Sequence, residues 1–318
     1  MSQAVENPFK YSDTNKRYYT YDFYLKRTYG EKVAKIPLDC GFTCPNIDGK
    51  VGTGGCIYCT SGSRAPTVEA KDIHAQYLSS VQKVKSKWRV DKFIPYMQSY
   101  TNTYTDEKTL EKLLTEISSY ENAVEICIAT RADCLENEKI KIIDTVSKKI
   151  PITLELGLQS ASDETAKAIN RCHTYAAFTD AFERLRKHAP GVKIGVHIIN
   201  GLPGETFEDM MNTAHSVADL HPDFIKIHLL YVAKNTVLEK MYLCGEYTPM
   251  TKEDYVNTVC SQLEILPSDT VVERLTGDGV QSELVSPIWS TKKVCVINDI
   301  DKELFRRKTY QGINCRRK

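Results

Sequence analysis

Four cysteines, Cys40, Cys44, Cys56 and Cys59, fall within one twenty-residue stretch of a 318-residue chain that holds eleven in all. A thiol cluster in a chain expected to be cytoplasmic points to metal or redox chemistry rather than to disulfides. Cys44, Cys56 and Cys59 read C-x11-C-x2-C, with Gly52, Gly54 and Gly55 in the loop between the first two. Glycines let backbone amides approach sulfur closely and donate hydrogen bonds to it. Three thiolates can hold three irons of a [4Fe–4S] cube and leave the fourth iron open to a substrate or cofactor. Counting Cys40 as well gives C-x3-C-x11-C-x2-C, a spacing that a closed tetrahedral zinc site would also accept. Asp39-Cys40 continues the alternating end of a strand, however, and a chain this long needs no zinc knuckle to fold. Cys127, Cys134, Cys172, Cys244, Cys260, Cys295 and Cys315 are scattered singly, and are expected to act as small buried hydrophobes.

These thiols need a scaffold, and the chain alternates short β-rich runs with amphipathic segments, the pattern of parallel sheets and barrels. Strands are expected at Val33–Leu38, Phe93–Met97, Val124–Ala129, Ile152–Leu156, Val192–Ile199 and Phe224–Leu230. Helices are expected at Asp72–Lys87, Thr105–Tyr120, Glu138–Lys148, Tyr175–His188 and Lys252–Ile265, with a further one opening at Thr206, where Asp209 completes a capping pair. Right-handed crossovers curl six such units into a barrel sector or an open doubly wound sheet, and periodicity alone fits both. The cysteine loop follows the first strand and so sits at that strand's C-terminal end, where barrels build active sites. After Leu266 the alternation stops. Pro267-Ser268-Asp269 leads to strand-like Val271–Leu275 and Val294–Ile297 and a basic end, Arg306, Arg307, Arg316, Arg317 and Lys318, read together as an appended lid or tail. The expected division is an N-terminal segment 1–32, a core 33–266 and an extension 267–318.

Composition is globular, at 42% apolar and 26% charged, and Lys+Arg 42 against Asp+Glu 41 leaves a net charge of +1. No global field advertises nucleic acid, although a local basic face would serve an RNA enzyme. No run of about 18 apolar residues is present and Ser2–Arg17 lacks an apolar signal core, so a cytoplasmic protein with no membrane partner is expected.

At the cysteine loop the chain resembles the radical S-adenosylmethionine (SAM) superfamily, and within it the bacterial YhcC/YtqA branch related to the Elongator catalytic subunit. The likeness continues through Gln98-Ser99-Tyr100-Thr101-Asn102-Thr103-Tyr104, Thr130-Arg131-Ala132-Asp133, Glu155-Leu156-Gly157-Leu158-Gln159-Ser160, Asn200-Gly201-Leu202-Pro203-Gly204-Glu205-Thr206, Lys226-Ile227-His228, Thr276-Gly277-Asp278-Gly279 and Pro287-Ile288-Trp289-Ser290. It implies an α/β fold, a partial (β/α)6 TIM-type barrel with a C-terminal extension, and two cofactors, a [4Fe–4S] cluster and SAM. Cys44, Cys56 and Cys59 correspond to the cluster ligands, although the superfamily's usual spacing is C-x3-C-x2-C; Cys40 corresponds to none of them.

Residue by residue, Glu155, Gln159 and Arg171 resemble positions that hold SAM's polar groups, Arg171 being suited to its carboxylate because a guanidinium grips one bidentately. Tyr58 resembles the aromatic that covers adenine. Gln98 stands where relatives carry a Gly-Gly-Glu turn that this chain lacks. His197 and His228 are strand histidines, read either as SAM-side groups or as satisfied core residues. Lys292, Lys293, Arg306 and Arg307 are candidate contacts to RNA phosphate. The resemblance further implies reductive SAM cleavage driven by a flavodoxin- or ferredoxin-type electron donor, with tRNA as partner. The implied reaction removes the carboxymethyl arm of 5-carboxymethylaminomethyl-(2-thio)uridine at the wobble position and leaves 5-aminomethyl-(2-thio)uridine. A radical SAM enzyme acting on a tetrapyrrole or another RNA base, and a non-enzymatic RNA-binding protein with a four-cysteine zinc site, are the competing readings.

Overall fold

The computed structural model describes residues 7–60, 72–277, 279 and 281–316. Asp278 of the Thr276–Gly279 stretch, and Arg317 and Lys318 of the basic end, lie outside the described residues.

Seven strands form one parallel sheet, each hydrogen-bonded to the next in the order they occur: β1 (Val33–Leu38), β2 (Lys92–Met97), β3 (Ile126–Thr130), β4 (Ile152–Gln159), β5 (Lys193–Asn200), β6 (Phe224–Leu229) and β8 (Val271–Arg274). They curl into an open half-barrel, the architecture implied by the resemblance. Two short strands, β7 (Val232–Ala233) and β9 (Leu284–Ser286), pair antiparallel beside it. Strands covered on both faces become continuous apolar runs, and β3 and β4 are buried along nearly their whole length.

The crossover helices are α2 (Ile73–Lys85), α3 (Glu107–Ile117), α4 (Asn137–Ser147), α5 (Asp163–Ala168) with α6 (Tyr175–His188), α7 (Phe207–Leu220), and α8 (Val237–Leu243) with α9 (Lys252–Ile265). Leu110, Leu113, Leu114 and Ile117 give α3 its buried stripe, and Asp106 caps it by accepting from the Thr109 amide at 3.0 Å. The capping box at α7 forms as expected, Thr206 and Asp209 each accepting from the other's backbone amide. At α7 the cap starts the helix at Phe207, soon after β5 ends at Asn200, whereas the connection from β1 to α2, which holds the cysteine loop, is long.

Two expectations about the C-terminal part are corrected. The sheet has seven parallel strands rather than six, because Val271–Arg274 pairs with β6 instead of belonging to a detached tail. Its four residues are too few to show a period. Val294–Ile297, read as strand-like from its β-branched residues, lies in helix α10 (Lys293–Arg306), where Val296, Ile300 and Leu304 recur every four residues and face the core.

Helix α1 (Tyr21–Tyr29) is capped by Thr20 and packs against both edge strands, β1 and β8. Its Tyr24, with Phe9, Tyr19 and Phe224, fills an aromatic cluster at the strands' N-terminal ends. The C-terminal end is tied to the same place. Gln311 is fully buried, accepts from the Tyr19 amide at 2.8 Å and donates to the carbonyls of Pro267 and Thr270.

Candidate active site

A cavity of about 340 Å³ opens at the C-terminal ends of the strands, and Cys44, Cys56 and Cys59 all line it. So do Tyr58, Gln98, Glu155, Gln159, Arg171 and His197, which brings every residue expected to hold the cluster or SAM to a single cavity, whereas Lys292, Lys293, Arg306 and Arg307, the candidate RNA contacts, do not line it. Cys40 is elsewhere. It packs on the main core, where burial first and then Asp39 and Glu116 push its thiol far above the usual range.

The cysteine loop is closed by local hydrogen bonds. Ile47 and Asp48 donate to the Cys44 carbonyl, Val51 donates to that of Pro45, and Cys59 donates to that of Cys56 at 2.9 Å. Gly54 and Gly55 both take positive φ, near +77° and +76°, so the chain reverses just before Cys56 with no side chain in the way. Cys56 is buried, with Asn46 Nδ2 at 3.8 Å and Arg171 Nη1 at 3.9 Å from its sulfur.

On β4, Glu155, Gly157 and Gln159 alternate onto the cavity face. A bulge interrupts the register between Gly157 and Gln159, and Gln159 adopts φ +76°. Bulges re-aim side chains in this way. Gly157 leaves room for both side chains: a Cβ there would stand 2.7 Å from the Gln159 side-chain amide and 2.8 Å from Arg171 Nη2, so either would have to shift. Arg171 donates to the Gly157 carbonyl at 2.5 Å, and the Arg171 carbonyl in turn accepts from Arg131, whose guanidinium is paired with Asp133 at 2.7–2.8 Å.

Glu155 has a task that the sequence did not disclose. Lys35 donates to one of its oxygens at 2.7 Å, with Cys127 Sγ 3.0 Å from the same atom. Tyr96 at 2.6 Å, His197 at 3.0 Å and a close contact from Lys226 occupy the other. Burial alone would raise this carboxyl, but Lys226, Lys35 and His197 together hold it well below the usual carboxylate range. Both oxygens being taken, Glu155 builds the cavity floor instead of presenting a free carboxylate to a ligand. Glu273 on β8 joins the same network through Lys35 at 2.7 Å, and burial pushes its carboxyl up. His197 is driven down to about 4, by burial first and then by Lys226, so it is neutral at pH 7. His228 is neutral for the same first reason, and its ring lies 5.4 Å from that of His197.

Sequence reasoning missed Lys35, Glu273 and Arg274, and gave no role to Asn46, Arg131 or Lys226. The available signal was charged residues at inward-facing positions of otherwise apolar strands. It also misjudged the scattered thiols. Cys127, Cys134 and Cys260 are buried as expected, Cys127 also touching the ion network, but Cys172, Cys244 and Cys295 are exposed and Cys315 is intermediate.

Three soft thiols lining one cavity suit an iron–sulfur cluster. Arg131 Nη1, Arg171 Nε and His228 Nε2 belong to lining residues, are buried and have no hydrogen-bond partner among the described residues. Buried polar atoms left open in this way mark a cavity made for a polar ligand. The donor set therefore fits both a cluster and a charged cofactor beside it.

A model of the Radical SAM superfamily matches residues 48–217, and one of a Radical SAM C-terminal domain matches residues 222–306. The protein YtqA of Bacillus subtilis is 40% identical over 308 residues, covering 96% of this chain and 95% of that protein. A tRNA uridine(34) acetyltransferase of Methanocaldococcus infernus is 27% identical over 197 residues, 61% of this chain and 34% of that enzyme. Among solved structures, the archaeal Elp3 of Methanocaldococcus infernus superposes with a TM-score of 0.66 at 19% identity, covering 88% of this chain and 64% of that one. Among the described residues no helix is long and apolar enough to cross a membrane.

Proposed function

The chain belongs to the radical SAM superfamily, an enzyme family that works with a [4Fe–4S] cluster and SAM, and from that premise we propose that it modifies a wobble uridine of tRNA, converting 5-carboxymethylaminomethyl-(2-thio)uridine to 5-aminomethyl-(2-thio)uridine. When bound together, cluster and SAM supply a 5′-deoxyadenosyl radical able to take a hydrogen atom from an unactivated carbon. In this reading Cys44, Cys56 and Cys59 hold the cluster, Arg171 receives the SAM carboxylate, and Gln159, His197, Gln98 and Tyr58 line the path of its ribose and adenine.

The observation that carries the reading is the placement of the three thiols and Arg171 in one cavity at the strand ends. The tRNA uridine(34) acetyltransferase relative supports uridine as the substrate class. A wobble base is unpaired, so it can be splayed into a pocket at modest cost. With both of its oxygens occupied, Glu155 adds no free anion beside an acidic substrate arm. The net change is a two-electron oxidation. The carboxymethyl carbon next to the amine loses one hydrogen atom, and the carbon radical left behind then gives up one electron as the neighbouring N–H gives up its proton. Water adds across the resulting C=N bond, releasing the aminomethyl uridine and a two-carbon aldehyde acid. The electron given up equals the one that a flavodoxin- or ferredoxin-type donor puts in.

Deleting the gene should leave carboxymethylaminomethyl uridine in tRNA and remove the aminomethyl product, read by nucleoside mass spectrometry; an unaltered nucleoside profile would overturn the substrate. Arg171→Ala should weaken SAM binding roughly ten- to a hundredfold, the worth of one charge-assisted hydrogen bond of about 1.5–3 kcal/mol, while the cluster's absorbance stays intact. Equilibrium dialysis against labelled SAM measures it, and unchanged affinity would remove Arg171 from the site.

A further inference from the structure

The loop from Cys44 to Cys56 is long, and two asparagines far apart in sequence, Asn46 and Asn170, help tie it to the rest of the molecule. We infer that Asn46 is a positioning residue for Cys56: it donates to the Cys56 sulfur while bridging to Asn170, so that the cysteine loop and the turn carrying Arg171 form one rigid unit. This rests on the reading of Cys56 as a cluster ligand.

Asn46 is fully buried. Its Nδ2 donates to the Asn170 carbonyl at 2.5 Å and stands 3.8 Å from Cys56 Sγ, and its backbone carbonyl accepts from the Gly55 amide at 2.8 Å. Asn170 answers from the other side. It adopts φ +54°, a left-handed conformation that asparagine tolerates better than most residues. There its side chain donates to the carbonyls of Thr53 at 3.1 Å and Gly55 at 2.8 Å. The adjoining Ile57 amide donates to Ile169 at 3.1 Å, and Arg171, next along the chain, brings Nη1 to within 3.9 Å of the same sulfur. Gly52 closes the lid on this arrangement, since a Cβ there would sit 2.2 Å from Asn46 Oδ1 and 2.7 Å from Cys172 Sγ.

N–H donors directed at a ligating sulfur stabilise its negative charge less in the oxidised than in the reduced cluster, so they raise the reduction potential. Removing one makes the cluster harder to reduce. The lock, by contrast, governs how tightly the loop retains iron. The two roles separate by substitution, because Asn170→Gly accepts the positive φ and keeps the backbone acceptor but deletes the two side-chain ties.

Holoenzyme reconstituted anaerobically tests this, with an EPR-monitored redox titration, iron and sulfide per chain, and the rate of iron loss to a chelator. Asn46→Ala should shift the potential negative and speed iron loss roughly tenfold or more. Asn46→Asp, nearly isosteric but without the amide donor, should shift it in the same direction, which guards against a folding failure of the alanine variant. Asn170→Gly should speed iron loss with the potential unmoved. Wild-type potential in both Asn46 variants would overturn the assignment. Failure of the wild-type chain itself to take up iron would overturn the cysteine reading beneath it.

Discussion

Cys56→Ala is expected to yield a chain that folds, takes up much less iron than the wild type and makes no 5′-deoxyadenosine above background, a loss of at least about three orders of magnitude for chemistry that has no uncatalysed equivalent on this timescale. The size of the effect follows from coordination. On the proposed assignment of three thiolates to three irons, one missing thiolate leaves a second iron open and the cluster labile. Cys40 is the nearest alternative in sequence, yet it packs on the core away from the cavity and burial keeps it a thiol. Cys40→Ser is therefore the matched control and should retain full iron and activity. Anaerobic reconstitution with iron, sulfide and product analysis reads both. A Cys40→Ser protein that loses its metal would restore the four-cysteine site, and a Cys56→Ala protein with an undiminished cluster would end the three-ligand assignment.

The second large effect is on stability. Glu155→Leu should cost about 3–5 kcal/mol, because removing one member of a buried ionic network strands the others. Lys35 and Lys226 would face each other across the barrel interior with only Glu273 between them. Denaturant unfolding gives the number, and a loss below about 1 kcal/mol would mean that the network contributes little. The same network fixes the sign of the acid response. Glu155 titrates well below the ordinary value of 4.5, so its contribution is complete above that pH and drains away as the pH falls further. His197, with a folded value of about 4 against 6.5, adds a loss of the same sign between those two pH values. Glu205, pushed up to about 6 by burial, pulls the other way through a smaller shift. Wild-type stability should therefore fall as the pH drops from about 6.5, and a His197→Gln protein should show a shallower fall over that range.

Much of the scaffold was legible because parallel strands and amphipathic helices write their burial directly into the chain. The helices at Tyr175–His188 and Lys252–Ile265 fall where the apolar stripe puts them, and all six expected strands are present with small shifts at their ends. The cysteine loop was legible for a different reason: its thiols are close in sequence. What stayed hidden depends on pairs that are distant. Asn46 and Asn170 are 124 residues apart, and no local spacing announces that they meet. Lys35, Glu155, Lys226 and Glu273 lie on four strands, and their meeting depends on which way the sheet curls. The seventh strand was hidden by its brevity, and the final helix by β-branched residues whose helical period is visible only over three turns.

The buried Gln311 changes what can be learned from shortening the molecule. A chain cut before residue 311 would lose not a loose appendage but the group that satisfies Tyr19, Pro267 and Thr270, and with it the seating of the strand that carries Glu273 and Arg274. Arg307, a candidate for gripping RNA, already spends its guanidinium on Glu303, Ser261 and Asn257. Deletion mutants of either terminus would thus report on the integrity of the catalytic wall, and any claim about nucleic-acid affinity in this region has to come from single charge reversals made in the full-length polypeptide.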